Sequence, residues 1–271
     1  MFPWLILLVL AALLLFLTCP NAHRARMTPW RGQWFAHRGL HDASRGVVEN
    51  TLPAFRAAVD AGYGMELDVQ LTKDGQLVVF HDDDLLRLTG DARRVGRCTL
   101  EELQALELSG VPGARIPTFA ELLRTVDGRT PLLVELKHCY DDRRLCRDVM
   151  AMLDTYDGPY IVESFNPLIV GWFRRNAPEV VRGQLVGPMR DYVAQCNHIG
   201  AFWMSGLLAN FIGRPDFVAY DATAQRFFSP HFQRFVYRTP MAAWTVRAPE
   251  LEAIIRRRGE IGIFEEIRPK T

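Results

Sequence analysis

The chain has 271 residues, of which 49% are hydrophobic and 23% are charged, and its formal net charge at pH 7 is +1. This length and apolar content fit one domain with a large core, and the near-neutral charge argues against a nucleic-acid partner. The cysteines show none of the paired spacings of a zinc site; they are Cys19, Cys98, Cys139, Cys146 and Cys196. An odd number without a pattern indicates free thiols in a reducing compartment.

A nearly continuous apolar run covers residues 2–19 and is followed by Pro20. A helix over this run would be about 27 Å long, which is about enough to cross the hydrocarbon core of a bilayer. We therefore expect an uncleaved transmembrane anchor at residues 1–20, a linker at 21–32 and a folded domain at 33–271. A buried helix added to the domain is the alternative.

The charges beside this apolar run predict its orientation. No Lys or Arg precedes the run, whereas Arg24, Arg26 and Arg31 follow it. The positive-inside rule then predicts a single-pass membrane protein with its domain in the cytoplasm. A cleaved signal peptide has a basic N-terminus and a cleavage site of small residues, and the residues around Pro20 are a poor match to such a cleavage site.

The segment FAHRGLHD, residues 35–42, is a short apolar strand that ends in His37, Arg38 and Gly39. The following ENTLPAFRAAVDAG, residues 49–62, has the start signals, apolar stripe and final glycine of a helix. The glycine lets a ligand approach the backbone, and an arginine at a strand end suits anion recognition. Taken alone, a histidine at a strand end is more often structural.

Two carboxylates and a histidine converge in the next segment. Glu66 and Asp68 lie two positions apart in an apolar strand, so both side chains point to one face. The Asp74-Gly75 pair predicts a hairpin with a two-residue type I′ turn. Counting outward from this turn places His81 opposite Asp68, with about 5 Å between their Cβ atoms. The alternative is the exposed face of an amphipathic strand.

Charged residues also interrupt two later apolar strands. PLLVELKH, residues 131–138, carries Glu135 and Lys137 on one face, and YIVESFNP, residues 160–167, ends in polar groups. Buried charges are costly unless they are paired or bound to a metal. An ion pair alone would also explain Glu135 and Lys137.

Strand-like runs alternate with helical patterns along the whole domain, which implies parallel strands. The runs end near Gly39, Gln70, His138, Asn166, Val186, Ala222, Arg247 and Glu265. Eight parallel strands imply a closed (β/α)8 TIM barrel, in which sites form at the carboxyl ends of the strands. Residues 72–116 are then an insertion after strand two that overhangs the site, and VVFHDD within it is the returning arm of the hairpin.

Seven short motifs occur in a fixed order: His37-Arg38-Gly39, Glu49-Asn50-Thr51, Glu66-Leu67-Asp68, His81-Asp82, Glu135-Leu136-Lys137, Ser164-Phe165-Asn166 and Trp244-Thr245-Val246. Together they resemble the signature of the glycerophosphodiester phosphodiesterase family. The resemblance covers nearly everything after the first thirty residues. It implies a TIM-barrel hydrolase, in agreement with the count of strands.

The resemblance implies that Glu66, Asp68 and Glu135 bind one divalent cation, and that His37 and His81 do the acid and base work. Carboxylate oxygens are hard ligands, which favours Mg²⁺ or Ca²⁺.

The resemblance also implies that Arg38 and Lys137 hold the phosphate. We expect Glu49 to support the site, by orienting Arg38 or binding the metal, although it could merely favour the start of the helix. We expect Phe165 and Trp244 to line the substrate pocket, although aromatic residues near strand ends are more often part of the core.

A charge argument supports a metal in such a site. A phosphodiester is already anionic, so three carboxylates would repel it and its transition state unless a cation intervenes. One histidine must accept a proton from the nucleophile, and the other must protonate the departing alkoxide. The sequence leaves open which histidine does which, and whether the nucleophile is water or a hydroxyl of the substrate's own glycerol.

The predicted function is metal-dependent hydrolysis of glycerophosphodiesters to glycerol 3-phosphate and an alcohol. One alternative is a lysophospholipase D acting on membrane lysolipids, which the anchor favours. Another is a catalytically inactive, membrane-bound lipid or metabolite sensor. The presence of both histidines and all three carboxylates argues against the sensor, since a sensor needs no paired acid and base.

Two positions depart from the family pattern. Arg247 follows Trp244-Thr245-Val246 where many relatives have Asn, and the last strand ends in Phe264-Glu265 where theirs often ends Ile-Thr-Asp. We expect neither departure to touch the metal ligands or the acid–base pair, and both to affect the alcohol pocket.

Overall fold

The computed structural model describes residues 3–193, 196–223 and 227–270. The strands in these ranges belong to one sheet, and they are β1 (Trp34–Ala36), β2 (Gly64–Leu71), β3 (Leu77–Val79), β4 (Leu132–Leu136), β5 (Tyr160–Ser164), β6 (Arg182–Val186), β7 (Phe217–Asp221), β8 (Met241–Val246) and β9 (Ile261–Phe264).

The helices surround this sheet. They are α1 (Pro3–Thr18), α2 (Leu52–Asp60), α3 (Leu86–Thr89), α4 (Leu100–Gln104), α5 (Phe119–Val126), α6 (Asp142–Leu153), α7 (Pro167–Asn176), α8 (Met189–Val193), α9 (His198–Ser205), α10 (Asn210–Gly213), α11 (Phe228–Phe232) and α12 (Pro249–Arg258). Short 3₁₀ helices cover Arg24–Trp30, Ala43–Arg45 and Val95–Arg97, and a π-helix covers Gln233–Tyr237.

Eight of the strands close into a barrel. Their order is β1-β9-β8-β7-β6-β5-β4-β2, every neighbouring pair is parallel, and β1 also pairs with β2. The predicted (β/α)8 barrel is therefore confirmed. Each predicted strand end lies within about three residues of the observed one, because a parallel strand buried on both faces reads as an apolar run bounded by polar residues.

The interior of the barrel is packed with apolar side chains. Phe35, Leu133, Ile161 and Phe217 are fully buried there. Gly183 on β6 leaves the space that the Phe217 ring occupies, since a Cβ atom at Gly183 would collide with that ring. Burying one phenylalanine stabilises the fold by roughly 1.5–3 kcal/mol. The closed lower core leaves the carboxyl ends of the strands as the place for chemistry.

The segment predicted as an insertion, residues 72–116, contains β3, which pairs antiparallel with β2. It has a small hydrophobic core of its own, which includes Phe80, Leu85 and Val95. The hairpin arm predicted in VVFHDD is thus present.

The predicted register of this hairpin is wrong by one residue. Val69 pairs with Val79, and the Phe80 N–H donates to the carbonyl of Asp68, so that Phe80 rather than His81 lies opposite Asp68. The loop has three residues instead of two. Its last residue, Gly75, has a φ of 78°, and the hydroxyl of Thr72 accepts a hydrogen bond from the Gln76 N–H. That hydroxyl closes the wider loop.

The N-terminal helix differs from its prediction. The described part of α1 has 16 residues, which gives a length of about 24 Å against about 30 Å for a bilayer core. It ends at Thr18, whose carbonyl accepts hydrogen bonds from Asn210 (3.3 Å) and Gln233 (2.7 Å). None of the helices in the described ranges is both long and apolar enough to cross a membrane. The transmembrane anchor predicted over residues 1–20 has no counterpart among them.

The segment predicted as a linker, residues 21–32, packs against the barrel. The amide of Asn21 donates to Asp216 at 2.7 Å, just before β7 begins, and Met27 is buried in the core of the barrel. This segment therefore covers the amino-terminal face of the barrel, the face opposite the strand ends that carry the predicted motifs.

Candidate active site

The predicted metal ligands come together at the carboxyl ends of β2 and β4. Glu66, Asp68 and Glu135 are buried, and each offers a carboxylate oxygen that lies within 4.8 Å of the others. Asp68 is paired with Glu135 in the register of the two strands. The two-residue period of β2 carries Glu66 and Asp68 to the same interior face.

These three carboxylates repel one another when all of them are ionised. Burial raises the pKa of Glu66 well above its ordinary value, and the negative charges of Asp68 and Glu135 raise it further. Burial likewise leaves the pKa of Glu135 raised. A divalent cation would remove this repulsion.

Asp68 has the oxygen best suited to bind a cation. Burial alone would raise its pKa, but His81, Lys137, Arg38 and a hydrogen bond from Asn50 together lower it below the ordinary value. Its Oδ2 accepts that bond at 2.8 Å, whereas Oδ1 is buried without a hydrogen-bond partner among the described residues. An ionised oxygen of this kind fits a hard cation such as Mg²⁺ or Ca²⁺.

Arg38 lies directly beside this cluster. Its backbone N–H donates to Glu66 Oε2 at 2.8 Å, and its guanidinium Nη1 donates to Glu49 Oε1 at 2.7 Å. Its Nε lies 3.8 Å from Asp68 and is buried without a hydrogen-bond partner among the described residues. Glu49 therefore orients Arg38 and leaves part of its planar fork for an anion.

Lys137 closes the cluster on the side of β4. Its Nζ lies 2.9 Å from Glu135 and 3.6 Å from Asp68. Burial would lower the pKa of Lys137, but the two carboxylates raise it above its ordinary value. The ammonium group is thus charged and close to the carboxylate cluster.

His37 is held by a carboxylate that the sequence analysis left without a role in catalysis. Its Nδ1 lies 3.0 Å from Glu265 Oε2, and Arg247 Nη2 donates to the same oxygen at 2.7 Å. Burial opposes ionisation of Glu265, but His37 and Arg247 lower its pKa to about 2. The expectation that neither departure touches the acid–base groups is therefore wrong for Glu265, whereas Arg247 reaches His37 only through Glu265.

His81 is held in a similar way on the other side of the site. Its Nδ1 lies 2.6 Å from Asp82, and Arg87 of the insertion donates to the same carboxylate at 2.6 Å. The amide of Gln70 donates to the carbonyls of Phe80 and Asp82, each at 2.8 Å. These bonds hold His81 near Asp68 although the register is shifted by one residue.

Phe165 and Trp244 pack edge to face, with ring centroids 5.8 Å apart. Both are partly buried and contact the interior core of the barrel. The two rings form an apolar wall at the top of that core, so a role in lining a pocket and a role in packing are both consistent with their position.

Sequence reasoning assigned no role to several groups near the site. Arg87 binds Glu49 through both Nη atoms, at 2.7 and 2.9 Å, and so links Glu49 to Asp82. Glu163 lies beside Glu135 in the register of β5 and β4, with a buried Oε2 that lacks a hydrogen-bond partner among the described residues. The same signal that drew attention to Glu135, an acid within an apolar strand, marks Glu163.

The pH dependence of activity should report on His37. Burial lowers the pKa of His37 below its ordinary value, and the hydrogen bond to Glu265 only partly opposes this. A neutral imidazole is the form that accepts a proton, and a bound cation would lower the pKa further. We expect kcat/KM to fall on the acid side only below about pH 6.5, the ordinary value for histidine. A profile of kcat/KM against pH with an acid limb at or above this value would contradict the account.

Glu265 should act on His37 as a positioning residue. An ionised carboxylate only accepts, so Nδ1 carries the proton and Nε2 is free to accept one. We expect Glu265→Gln to lower kcat by about 10²-fold or more, and by up to about 10⁴-fold, with little change in KM, since loss of an orienting carboxylate can cost about 10⁴-fold elsewhere. The acid limb should also move to lower pH, because Glu265 raises the pKa of His37.

The neighbouring exposed Glu266 provides the matched control, since Glu266→Gln changes charge by the same amount on the same loop. Equal kinetics and pH profiles for the two variants would show that Glu265 has no specific role.

The fold and site define a parallel barrel with a buried carboxylate cluster flanked by two carboxylate-bound histidines. The sequence profile of the glycerophosphoryl diester phosphodiesterase family matches residues 37–265. The protein belongs to this family.

Individual glycerophosphodiester phosphodiesterases and phosphodiesterases are also similar to this chain in sequence or structure. The chain is 38% identical to YhdW of Bacillus subtilis (strain 168) over 161 residues, which are 56% of this chain and 65% of YhdW. The structure of a glycerophosphodiester phosphodiesterase from Thermotoga maritima is 26% identical, covers 85% of this chain and 93% of its own, and superimposes with a TM-score of 0.64. A phosphodiesterase from Oleispira antarctica, solved with its product sn-glycerol-3-phosphate, is 23% identical with a TM-score of 0.68, over 87% of this chain and 93% of its own.

Proposed function

We propose that the protein hydrolyses glycerophosphodiesters to glycerol 3-phosphate and an alcohol, and that it needs one divalent cation to do so. The observation that carries the proposal is the pair of histidines, each bound at Nδ1 to a carboxylate and each close to a cluster of three buried acids. Family membership and the product bound to the Oleispira antarctica structure support it.

Glu66, Asp68 and Glu135 would hold the cation, either Mg²⁺ or Ca²⁺. When bound, it supplies positive charge where oxygens of the phosphodiester gain negative charge in the transition state.

The phosphate is positioned by Arg38 and Lys137. The Arg38 fork is held by Glu49 and presents its remaining N–H groups to an anion, and Lys137 adds a point charge beside Asp68. These two cations also offset the carboxylates that surround them.

The two histidines share the proton transfers. Burial keeps His37 neutral, so we assign it the role of general base, which takes the proton from the nucleophile at Nε2. His81 then protonates the departing alkoxide. The nucleophile is water, or a neighbouring hydroxyl of the substrate's glycerol with a cyclic phosphate as the intermediate.

A substrate panel tests the proposal. Purified full-length protein is incubated with glycerophosphodiesters of different head groups and with lysolipids, with and without Mg²⁺ or Ca²⁺, and products are identified by mass. We expect glycerol 3-phosphate plus the free alcohol from at least one diester. Absence of turnover across the panel with either metal would favour the inactive sensor.

The geometry favours water-soluble diesters over lysolipids in a bilayer. α1 and residues 21–32 are fixed to the barrel at its amino-terminal face, whereas the candidate site lies at the carboxyl ends of the strands. If α1 binds a membrane, the candidate site therefore lies on the side of the barrel that is remote from that membrane.

We further propose that α1 associates with a membrane surface on the cytoplasmic side. Its side chains from Trp4 to Phe16 are exposed and apolar, for example Leu7 at 67%, and anionic lipids of the cytoplasmic leaflet suit the arginines that follow. A protease added outside intact cells should leave the barrel uncut. Cleavage of the barrel under these conditions would exclude the cytoplasmic location.

Truncation separates α1 from catalysis. We expect removal of residues 1–13 to leave kcat/KM on soluble diesters within about twofold, because the last turn that bonds to Asn210 and Gln233 is retained. Binding to vesicles should fall. A folded truncated protein that had lost its activity on soluble diesters would show that α1 serves the active site.

A further inference from the structure

A cavity of about 380 Å³ opens on the amino-terminal face of the barrel, opposite the candidate active site. Its floor includes Met27, Met241 and Ile261, which are buried. Its wall carries four arginines and one acid, namely Arg31, Arg234, Arg238, Arg258 and Glu260. The cavity is therefore apolar at its base and basic at its mouth.

The positive charge of this cavity is largely uncompensated. Glu260 already accepts hydrogen bonds from Arg234 Nε and from the Tyr220 hydroxyl, both at 2.8 Å. Within the described ranges, Arg31, Arg238 and Arg258 form no ion pair. The Nη2 of Arg234 is buried without a hydrogen-bond partner among the described residues. An anion in the cavity would satisfy this group and offset the excess charge.

The cavity lies beside the attachment point of α1. The π-helix Gln233–Tyr237 contributes Arg234 to the cavity wall, and the same helix holds α1 through bonds from Gln233 to Thr18 and from Tyr237 to Leu15. Its Phe235 is 74% exposed. An exposed apolar side chain, an arginine of the cavity wall and the attachment of α1 thus occur on one structural unit.

We propose that this cavity binds the phosphate of an anionic phospholipid and that the amino-terminal face of the barrel docks on the membrane surface. Apolar side chains of α1 enter the interfacial region, and the arginines contact the headgroups. The positive charge of the cavity complements a phosphate group. The exposed apolar side chains beside it would contact a bilayer but would not contribute to binding of a free phosphate ion, so we identify anionic lipid as the occupant.

This inference rests on the proposed membrane association of α1, and it adds which lipids are selected. It also fixes the orientation of the enzyme. With the amino-terminal face on the bilayer, the mouth of the active site faces the aqueous phase, where soluble diesters arrive.

Vesicle binding by the full chain tests the inference. Cosedimentation is measured with phosphatidylcholine vesicles and with vesicles containing phosphatidylglycerol, at fixed salt. The test variant is R31E/R238E/R258E. The control R56E/R124E/R143E makes the same change in charge at arginines of α2, α5 and α6 that do not line this cavity. Activity on a soluble diester and the melting temperature verify that each variant is folded.

We expect binding to phosphatidylglycerol vesicles to fall at least tenfold in the test variant and less than threefold in the control, since each arginine near an anionic surface contributes about fivefold. Equal losses of vesicle binding in both variants would show that net charge alone accounts for the effect. That result would overturn the proposal that the cavity binds the lipid. Competition of vesicle binding by millimolar inorganic phosphate or glycerol 3-phosphate would overturn the choice of lipid. Absence of binding to any vesicle would overturn the membrane association of α1 itself, without bearing on the hydrolase activity.

Discussion

Replacement of His37 or His81 by alanine is expected to lower kcat by about 10²-fold or more, as loss of a positioned acid or base commonly does. Each imidazole is fixed by a carboxylate at Nδ1, Glu265 for His37 and Asp82 for His81. Because the two residues act on different proton transfers of one reaction, each single variant should be severely impaired. Steady-state kinetics on a soluble glycerophosphodiester measure the effect.

His23 provides the control for the two histidine variants. It is exposed on the amino-terminal side of the barrel, so His23→Ala should retain the kinetics of the unmodified protein. Circular dichroism and thermal unfolding establish that the inactive variants are folded. Substantial turnover in both the His37 and the His81 variant would refute the assignment of acid and base to these residues.

Removal of the divalent cation is expected to abolish activity, and Mg²⁺ or Ca²⁺ should restore it. Burial and mutual repulsion raise the pKa of Glu66 and of Glu135 in the absence of a cation, so binding of a metal must stabilise the folded state. At a metal concentration 100 times the Kd this stabilisation is about 2.7 kcal/mol. Thermal unfolding with chelator and with added metal measures it independently of activity.

Glu135→Gln and Glu163→Gln form a matched pair for this prediction. Both residues are buried neighbours in the register of β4 and β5, but only Glu135 belongs to the cluster of potential ligands. Burial and nearby negative charge raise the pKa of Glu163 well above its ordinary value, so glutamine resembles its neutral form. We expect the metal-induced rise in melting temperature to disappear in Glu135→Gln and to remain in Glu163→Gln. Full activity after exhaustive chelation, or the same response in both variants, would contradict the proposed metal site.

The barrel could be predicted because the sequence encodes it locally. Each strand is a short apolar run between polar residues; Glu66 and Asp68 interrupt the run of β2, and Glu135 and Lys137 mark the carboxyl end of β4. Parallel strands bring those ends to one face, so placing these residues together required no knowledge of longer-range contacts.

The details that were missed depend on tertiary contacts. The loop from Thr72 to Gln76 is set by a side-chain hydroxyl that competes with the expected turn, which shifts His81 by one position. The end of α1 is fixed in part by buried amides on distant segments that bond to the Thr18 carbonyl. Arg87 reaches Glu49 only after the insertion folds on its own core.

The contact between His37 and Glu265 could have been inferred. Closure of a barrel places the last strand beside the first, and Ala36 pairs with Phe264 in the register of β1 and β9. The residues that follow, His37 and Glu265, must then be neighbours. The departure of this chain from the family pattern at Glu265 is therefore a change next to the acid–base pair.

Hydrolysis in ¹⁸O-labelled water tests the central claim most directly. The unmodified protein is incubated with Mg²⁺ or Ca²⁺ and a soluble glycerophosphodiester in this water, and the masses of the products are measured by mass spectrometry. Attack at phosphorus predicts glycerol 3-phosphate with one ¹⁸O and an unlabelled alcohol, whether water attacks directly or opens a cyclic phosphate. Label in the alcohol or in free glycerol, or a phosphate retained on the alcohol, would contradict the proposed reaction.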